Sequence, residues 1–288
     1  RKPWSSTLFD IVFQPARSAL FVWWTHALAP LYIPLAIILR ARGVPLAIFC
    51  HNVLPHDAGV VGKALSKFSL SLFNKHIVQS KAESEQLLSL IGKPADLVLP
   101  HPPFAFDEPQ EPKNYVRDEV VFLCIGFMRP YKNLPFAARA FQATKGDNLR
   151  LKIIGECWNS AILSELQECS AQDSRIYVAD EYVSDESFAN EIRNADYILM
   201  PYKSVTGSGV FASVTSLGKP VIASNLPGFT EHIKQEQNGL IFEANSEDSL
   251  RETLRKAAEL RGSWTEVDFL PGWDRAAQAI IETIDFKN

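Results

Sequence analysis

Short apolar runs alternate with segments of helical period along almost the whole of this 288-residue chain, and that alternation constrains its fold more than any other feature. VPLAIFC (44–50) and EVVFLCI (119–125) are apolar at nearly every position, as strands covered on both faces are, whereas a strand with one wet face alternates. Helical segments between such strands are the signature of parallel sheets with right-handed crossovers. The pattern predicts strands at 19–24, 44–50, 76–79 and 96–99, with helices at 30–42, 63–74 and 81–90. It restarts with strands at 119–125, 149–154, 175–178, 196–200, 220–223 and 239–242, followed by a polar helix at 246–260 and an amphipathic one from Trp273. Five prolines and no periodicity between 100 and 115 mark a boundary. The expected organisation is a first α/β domain over 1–108, a linker over 109–118, a second α/β domain over 119–262, and a C-terminal helix in 263–288 that packs back toward the first domain.

Composition narrows the class. Hydrophobic residues at 47% and charged residues at 22% are those of a globular protein in water. A net charge of −4 argues against a nucleic-acid binder, which would carry a basic face. Cys50, Cys124, Cys157 and Cys169 show no metal-ligand spacing and read as buried thiols in a reducing compartment. No secretory signal opens the chain and it does not begin with Met, so a fragment with an incomplete first domain is expected. The apolar stretch 19–39 is interrupted by His26, Pro30 and Pro34, and a spanning helix needs about 20 apolar residues. It reads as strand, turn and helix packed in a core. Trp23 and Trp24 read as core, although aromatic residues also suit a membrane interface.

In α/β sheets, ligands sit beyond the carboxyl ends of the strands. After EVVFLCI come Gly126, then Arg129 and Lys132, and then, past Asn133, a helical pattern of Leu134, Ala137, Ala138 and Phe141. Two cations beside a helix N-terminus make an anion site suited to a phosphate or diphosphate; the plainer alternative is a turn with two solvated cations. A second loop carries Gly207-Ser208-Gly209 just before a helix expected at 210–217, where glycines let backbone N–H groups approach a ligand. A tight turn explains that triplet equally. There is no GxGxxG, Walker A or GxSxG signature, and no DxD or acidic cluster that nominates a metal.

GFMRPYKNLPFAARAF (126–141), LKIIGE (151–156), ADYILMPY (195–202), GSGVFASVTSLGKPVIAS (207–224) and LPGFTEHIKQEQNGLIFE (226–243) occur in this order. Together they resemble the nucleotide-sugar half of the retaining glycosyltransferases of family 4, which have the GT-B fold. The resemblance covers about 120–260; HNVLPHD (51–57) and QSKAESEQL (79–87) resemble, less densely, the acceptor side of bacterial members that build surface polysaccharides or glycolipids. It implies an α/β GT-B architecture of two Rossmann-like parallel-sheet domains facing a central cleft. Arg129 and Lys132 would neutralise the departing diphosphate, and His51 would face the donor sugar from the acceptor domain. Gly126, Asn133, Gly207, Ser208, Gly209 and Val210 would line the phosphates and sugar. Glu156 would lie near the nucleotide, and Tyr182 and Val183 against the base. The family carries two glutamates that here are Val205 and Ser213, so Ser213 would hold the ribose hydroxyls more weakly, and sugar identity and activity are both put in question.

The expectation is a cytoplasmic hexosyltransferase, peripheral on the inner face of the cell membrane. It would move a sugar with retention from an NDP-sugar (UDP or GDP) to a lipid-linked or glycan acceptor in cell-envelope glycan synthesis. No cofactor, metal or nucleic acid is expected. Two fixed cations and a helix dipole can stabilise a departing diphosphate unaided. A retaining glycosidase would need a close pair of carboxylates, and none is nominated. A nucleotide-sugar epimerase would want acid/base carboxylates in the cleft. A non-enzymatic relative that binds nucleotide sugar or a partner transferase is the remaining alternative. His56 and Asp57 read equally as a polar pair near the acceptor or as a solvated loop.

Overall fold

The computed structural model describes residues 15–54, 58–103, 118–205, 208–264 and 272–285. His56, Asp57, Gly207 and most of the proline-rich segment lie outside them. The chain divides into two compact units, 1–101 with 271–288, and 102–270.

In the first unit β1 (Ala19–Trp23) runs through a 3-10 turn (His26–Leu28) into α1 (Ala29–Ala41). Then follow β2 (Leu46–Cys50), α2 (Val60–Ser71), β3 (Lys75–Val78), α3 (Lys81–Ile91) and β4 (Leu97–Val98). All four strands are parallel, in the order β1-β2-β3-β4. Successive right-handed crossovers along one direction place α1, α2 and α3 on the same face of the sheet. Beneath them lie Trp23, Leu39, Leu46, Ile48, Leu70 and Leu87, all essentially inaccessible. The stretch 19–39 is thus the strand, turn and helix its prolines imply. Trp23 is core as expected, but Trp24 is not: the alternation of β1 turns it outward, where it is 57% exposed.

The second unit holds β5 (Val120–Ile125), α4 (Leu134–Gln142), β6 (Leu149–Ile154), α5 (Ser160–Gln172), β7 (Ile176–Ala179), α6 (Asp185–Asn194), β8 (Tyr197–Met200) and α7 (Gly209–Ser216). β9 (Val221–Ser224), the short α8 (Pro227–Thr230), β10 (Gly239–Phe242) and α9 (Glu247–Glu259) complete it. Its six parallel strands are ordered β10-β9-β8-β5-β6-β7. Every residue of β5 is buried because helices cover both faces. Phe122 points into a layer with Phe141, Tyr197 and Leu254. Its neighbour Leu123 points into the opposite layer with Phe211, Val214 and Phe229. The chain leaves β5 toward β6 on one side and returns to β8 on the other, so the strand order reverses between β5 and β8. That reversal opens a crevice at the carboxyl ends of the strands, where ligands of such sheets bind.

The last helix, α10 (Trp273–Ile284), belongs to the first unit. Its Ala276, Ala279, Ile280 and Ile284 pack with Phe49, Ile77 and Leu99.

Candidate active site

β5 ends at Gly126, whose φ of +87° is a left-handed conformation that favours glycine. Space is short there as well: a Cβ would lie 3.4 Å from Lys132 Nζ and 3.5 Å from Val210 Cγ2. At the end of β6, Gly155 abuts Gly126 so closely that a Cβ would lie 2.3 Å from the Gly126 carbonyl oxygen. The two loops are stitched together by Met128 N–H donating to the Glu156 carbonyl at 2.9 Å. This backbone-on-backbone packing fixes the loop that carries both cations.

That loop passes through a 3-10 turn (Pro130–Lys132) and Asn133, which has φ +55° and opens α4. The turn folds Lys132 inward. Its side chain is buried, with Nζ donating to the Ile125 carbonyl at 3.3 Å and lying 5.8 Å from the Tyr202 ring. Burial lowers its pKa to about 8; the Cys124 thiol opposes that shift and the Arg129 charge adds to it. Lys132 is therefore not a solvated surface cation. It is a desolvated ammonium with no carboxylate beside it among the described residues, poised to gain from an incoming anion. Cys124 is held as a thiol, its pKa pushed up to about 12 by burial.

Arg129 is partly accessible and is held by aromatic rings. Its guanidinium carbon sits 4.0 Å from the Trp158 ring centroid and 5.4 Å from that of Phe127. The opposite wall of the recess comes from the loop after β8. Tyr202 is buried, its ring edge-on to Tyr131 at 5.5 Å, and its carbonyl accepts from Ser224 Oγ. Ser208 caps α7 by accepting from the Phe211 N–H at 3.2 Å. The preceding N–H groups, of Gly209 and Val210, are those a helix leaves without a partner of its own. Cys124, Gly126, Lys132, Tyr202 and Val210 line one recess between β5 and β8. Its chemistry is that of an anion site: a buried cation, a second cation at the rim, and a helix N-terminus.

Among the expected residues, Gly126, Lys132 and Val210 meet in this recess, with Arg129, Asn133, Ser208 and Gly209 on the segments that form it. Glu156 follows Gly155 on the adjoining loop. Tyr182 is strongly exposed, and Val183 packs against the core layer under α7. Ser213 is fully buried, and its hydroxyl donates to the Gly209 carbonyl at 2.7 Å, one turn back on its own helix. Val205, at the other departure from the family pattern, is partly buried against the same layer. Tyr202 and Trp158 were not singled out from sequence. Tyr202 stands at the end of a buried strand, the position from which α/β sheets present ligand residues. Trp158 carried only the weak signal of a large aromatic in a loop after a strand.

His51 lies in the first unit, directly after β2. Its ring stacks on Trp24 at 3.8 Å with 10° between planes. Gln79 Nε2 approaches its Nδ1 at 3.3 Å; an amide nitrogen only donates, so Nδ1 accepts and the proton sits on Nε2. Burial, with a smaller push from His101, lowers its pKa to about 4, so it is neutral at physiological pH. The loops after β2 and β3 are tied to α3 by Glu83, a buried carboxylate. It accepts from Val53 N–H at 3.2 Å and Gln79 N–H at 3.0 Å.

Among the described residues no cluster of His, Cys, Asp or Glu is arranged to hold a metal, and no helix is long and apolar enough to cross a membrane.

Residues 119–259 match the family model described as Glycosyl transferases group 1. Over 101 residues the chain is 29% identical to the GDP-mannose:glycolipid 4-beta-D-mannosyltransferase of Xanthomonas campestris pv. campestris, which is 35% of this chain and 29% of that protein. The match therefore spans less than a third of the relative's length. The catalytic domain of starch synthase IV from Arabidopsis thaliana superposes with a TM-score of 0.74 at 13% identity, covering 97% of this chain and 75% of that one. A lipopolysaccharide outer core galactosyltransferase superposes with a TM-score of 0.64 at 16% identity, covering 98% and 75%. The structural likenesses show the α/β, Rossmann-like GT-B fold, and residues 119–259, just under half of the chain, are similar to the glycosyl transferases group 1 family.

Proposed function

We propose that the chain transfers a hexose from an NDP-sugar, UDP- or GDP-linked, to a lipid-linked or glycan acceptor at the cytoplasmic face of the cell membrane, with retention. The observation that carries this reading is Lys132. A buried ammonium with no carboxylate beside it among the described residues, at the strand-order reversal and beside a helix N-terminus, is costly to the folded protein unless an anion visits it. When the glycosidic bond breaks, negative charge grows on the diphosphate. Lys132 and Arg129, fixed in advance, meet that charge without reorganising. Gly126 and the α7 N-terminus let the phosphates approach backbone. Tyr182 and Val183, on the loop after β7, offer a surface for the base, and Glu156 lies beside it. His51, neutral and presenting Nε2–H, serves the acceptor side, where it donates to a sugar hydroxyl. A glycolipid acceptor is supported by the name of the Xanthomonas relative, which also specifies a β-mannoside product. The stereochemistry of transfer is therefore to be measured directly.

A second reading, binding without turnover, is favoured by one observation: Val205 is partly buried against the core layer and the Ser213 hydroxyl is bonded within its helix, so neither replaces a glutamate. Both readings are tested by thermal shift with UDP, GDP, ADP and their sugar conjugates on the chain and on Arg129→Ala, followed by transfer assays. A stabilising nucleotide whose effect is lost in the variant, with sugar moved to a glycolipid acceptor, supports the transferase; the anomeric proton coupling of the product reports retention or inversion. Stabilisation without transfer to any glycan or glycolipid supports the binding reading. No stabilisation by any nucleotide sinks both.

A further inference from the structure

We propose that the outward faces of α1 and α2 form a docking surface for an anionic lipid bilayer. A helix on the surface of a soluble domain buries its apolar stripe and shows its polar one. α2 buries Leu70 and packs Leu65 against the core, yet it departs from that pattern on its other faces. It turns Gly62, Ser66 and Ser69 inward and presents Val60, Val61 and Phe68 to solvent, at 86%, 73% and 53% exposure. α1 adds Leu31, Ile37 and Ile38, each more than 40% exposed. Both helices lie on the same face of the sheet. Gly62 of α2 approaches the turn that opens α1 so closely that a Cβ would lie 3.1 Å from the His26 ring. Six large apolar side chains on two touching helices are a patch, not the scattered exposure of an ordinary surface.

The charges of this region select the occupant. Lys63 and Lys67 stand among the exposed residues of α2, and Arg40, at the end of α1, donates to the Leu72 carbonyl at 2.7 Å. Residues 1–82 contain nine Lys and Arg against two Asp and Glu, a net of +7 in a chain whose total is −4, so the other residues carry −11. Among the described residues up to 82 there is no acidic side chain. Cations interleaved with aliphatic and aromatic side chains on a helical face suit the headgroup boundary of an anionic membrane. A second copy would bring the same positive charge to the face, and a nucleic acid has no use for its aliphatic ridge.

This surface deepens the membrane location proposed above but rests on side-chain distribution alone, independently of sugar transfer. The test is co-sedimentation of the whole chain with phosphatidylcholine vesicles, with and without phosphatidylglycerol. It is run beside Lys63→Glu with Lys67→Glu, and beside Val61→Asp with Phe68→Asp; all four positions are exposed, and circular dichroism checks folding. The expected result is binding to the phosphatidylglycerol vesicles, weakened by salt and lowered about tenfold or more by either double variant. Absence of binding, equal binding to neutral vesicles, or binding that both double variants leave unchanged overturns the proposal. So does a dimer that both variants dissolve while no vesicle binds, which would make the face an interface between copies. Nucleotide thermal shift read on the same variants should be unaltered; vesicle binding without any nucleotide binding would remove the transferase reading and leave this surface standing.

Discussion

Lys132 is charged where charge is costly, and that cost can be measured. Its folded pKa of about 8 lies below the ordinary lysine value of 10.5. Below the lower value both folded and unfolded chains are protonated and the folded state bears the desolvation. Between the two the folded chain sheds its proton first, so stability rises with pH; above both the cost is gone. Lys132→Met should therefore stabilise the ligand-free protein by about 2–3 kcal/mol near neutrality, a gain that fades above pH 8. Urea denaturation at several pH values reads this, and transfer should be lost in the same variant. A bound diphosphate raises the lysine pKa again, so nucleotide binding takes up a proton. The Kd of the nucleotide found by thermal shift should rise roughly tenfold as pH climbs from about 8 to about 9.5, by calorimetry in buffers of different ionisation enthalpy. Unchanged affinity would separate Lys132 from the phosphates. Trp158 acts through Arg129, as a positioning residue: Trp158→Ala should lower kcat/KM and nucleotide affinity about three- to tenfold, with Trp158→Phe recovering most of it, since a stacked guanidinium is worth about 0.5–2 kcal/mol. Stability should hardly move, because the ring is two-thirds exposed.

At the scale of elements, β5, β8 and β9 were legible because each is covered on both faces and so reads as an unbroken apolar run, while β6, with Arg150 and Lys152 on one face, was legible by its alternation. β5, β6, β8, β9 and β10 fall within a residue or two of where the runs place them. α2 was less legible. Its first turn, from Val60, precedes the expected start at Lys63, because outward valines break the amphipathic period that marks a helix. The β4 run was overread, four residues against two, since a terminal strand pairs on one side only. That the loop after β5 and the start of α7 share one recess was readable from Lys132 and the Gly207-Ser208-Gly209 stretch, each directly after a strand. The burial of Lys132 was not, because it depends on the 3-10 turn and on Gly126 leaving room for the ammonium. Trp24 shows the same limit: adjacent tryptophans look alike in sequence, and strand alternation sends one to the core and the other onto His51. Glu83 belongs at this scale too, since one carboxylate closes two strand-end loops on α3. Glu83→Ala would leave the N–H groups of Val53 and Gln79 buried without an acceptor, at a cost of about 2–4 kcal/mol in urea denaturation. Loss of less than about 0.5 kcal/mol would mean that water replaces it.

Across the whole molecule the chain enters the first unit, builds all of the second, and returns to the first with α10. The first unit is therefore assembled from segments separated by the entire second unit, and its last contacts form only after the second has been made. What α10 contributes is specific: Ala276 and Ile280 cover Ile77 and Leu99, on β3 and at the end of β4, which would otherwise face water. Removing residues 272–288 should destabilise the first unit by about 2–5 kcal/mol, the worth of one or two large apolar side chains returned to solvent. Amide hydrogen exchange locates the effect, because local opening lowers protection only in the element that opens. The amides of β3 and β4 should lose protection in the truncated chain, while those of β5, β6 and β8 keep theirs and nucleotide binding by the second unit persists. Loss of protection throughout β5, β6 and β8 would instead mean that the two units fold as one cooperative body, and that the second depends on the first being closed.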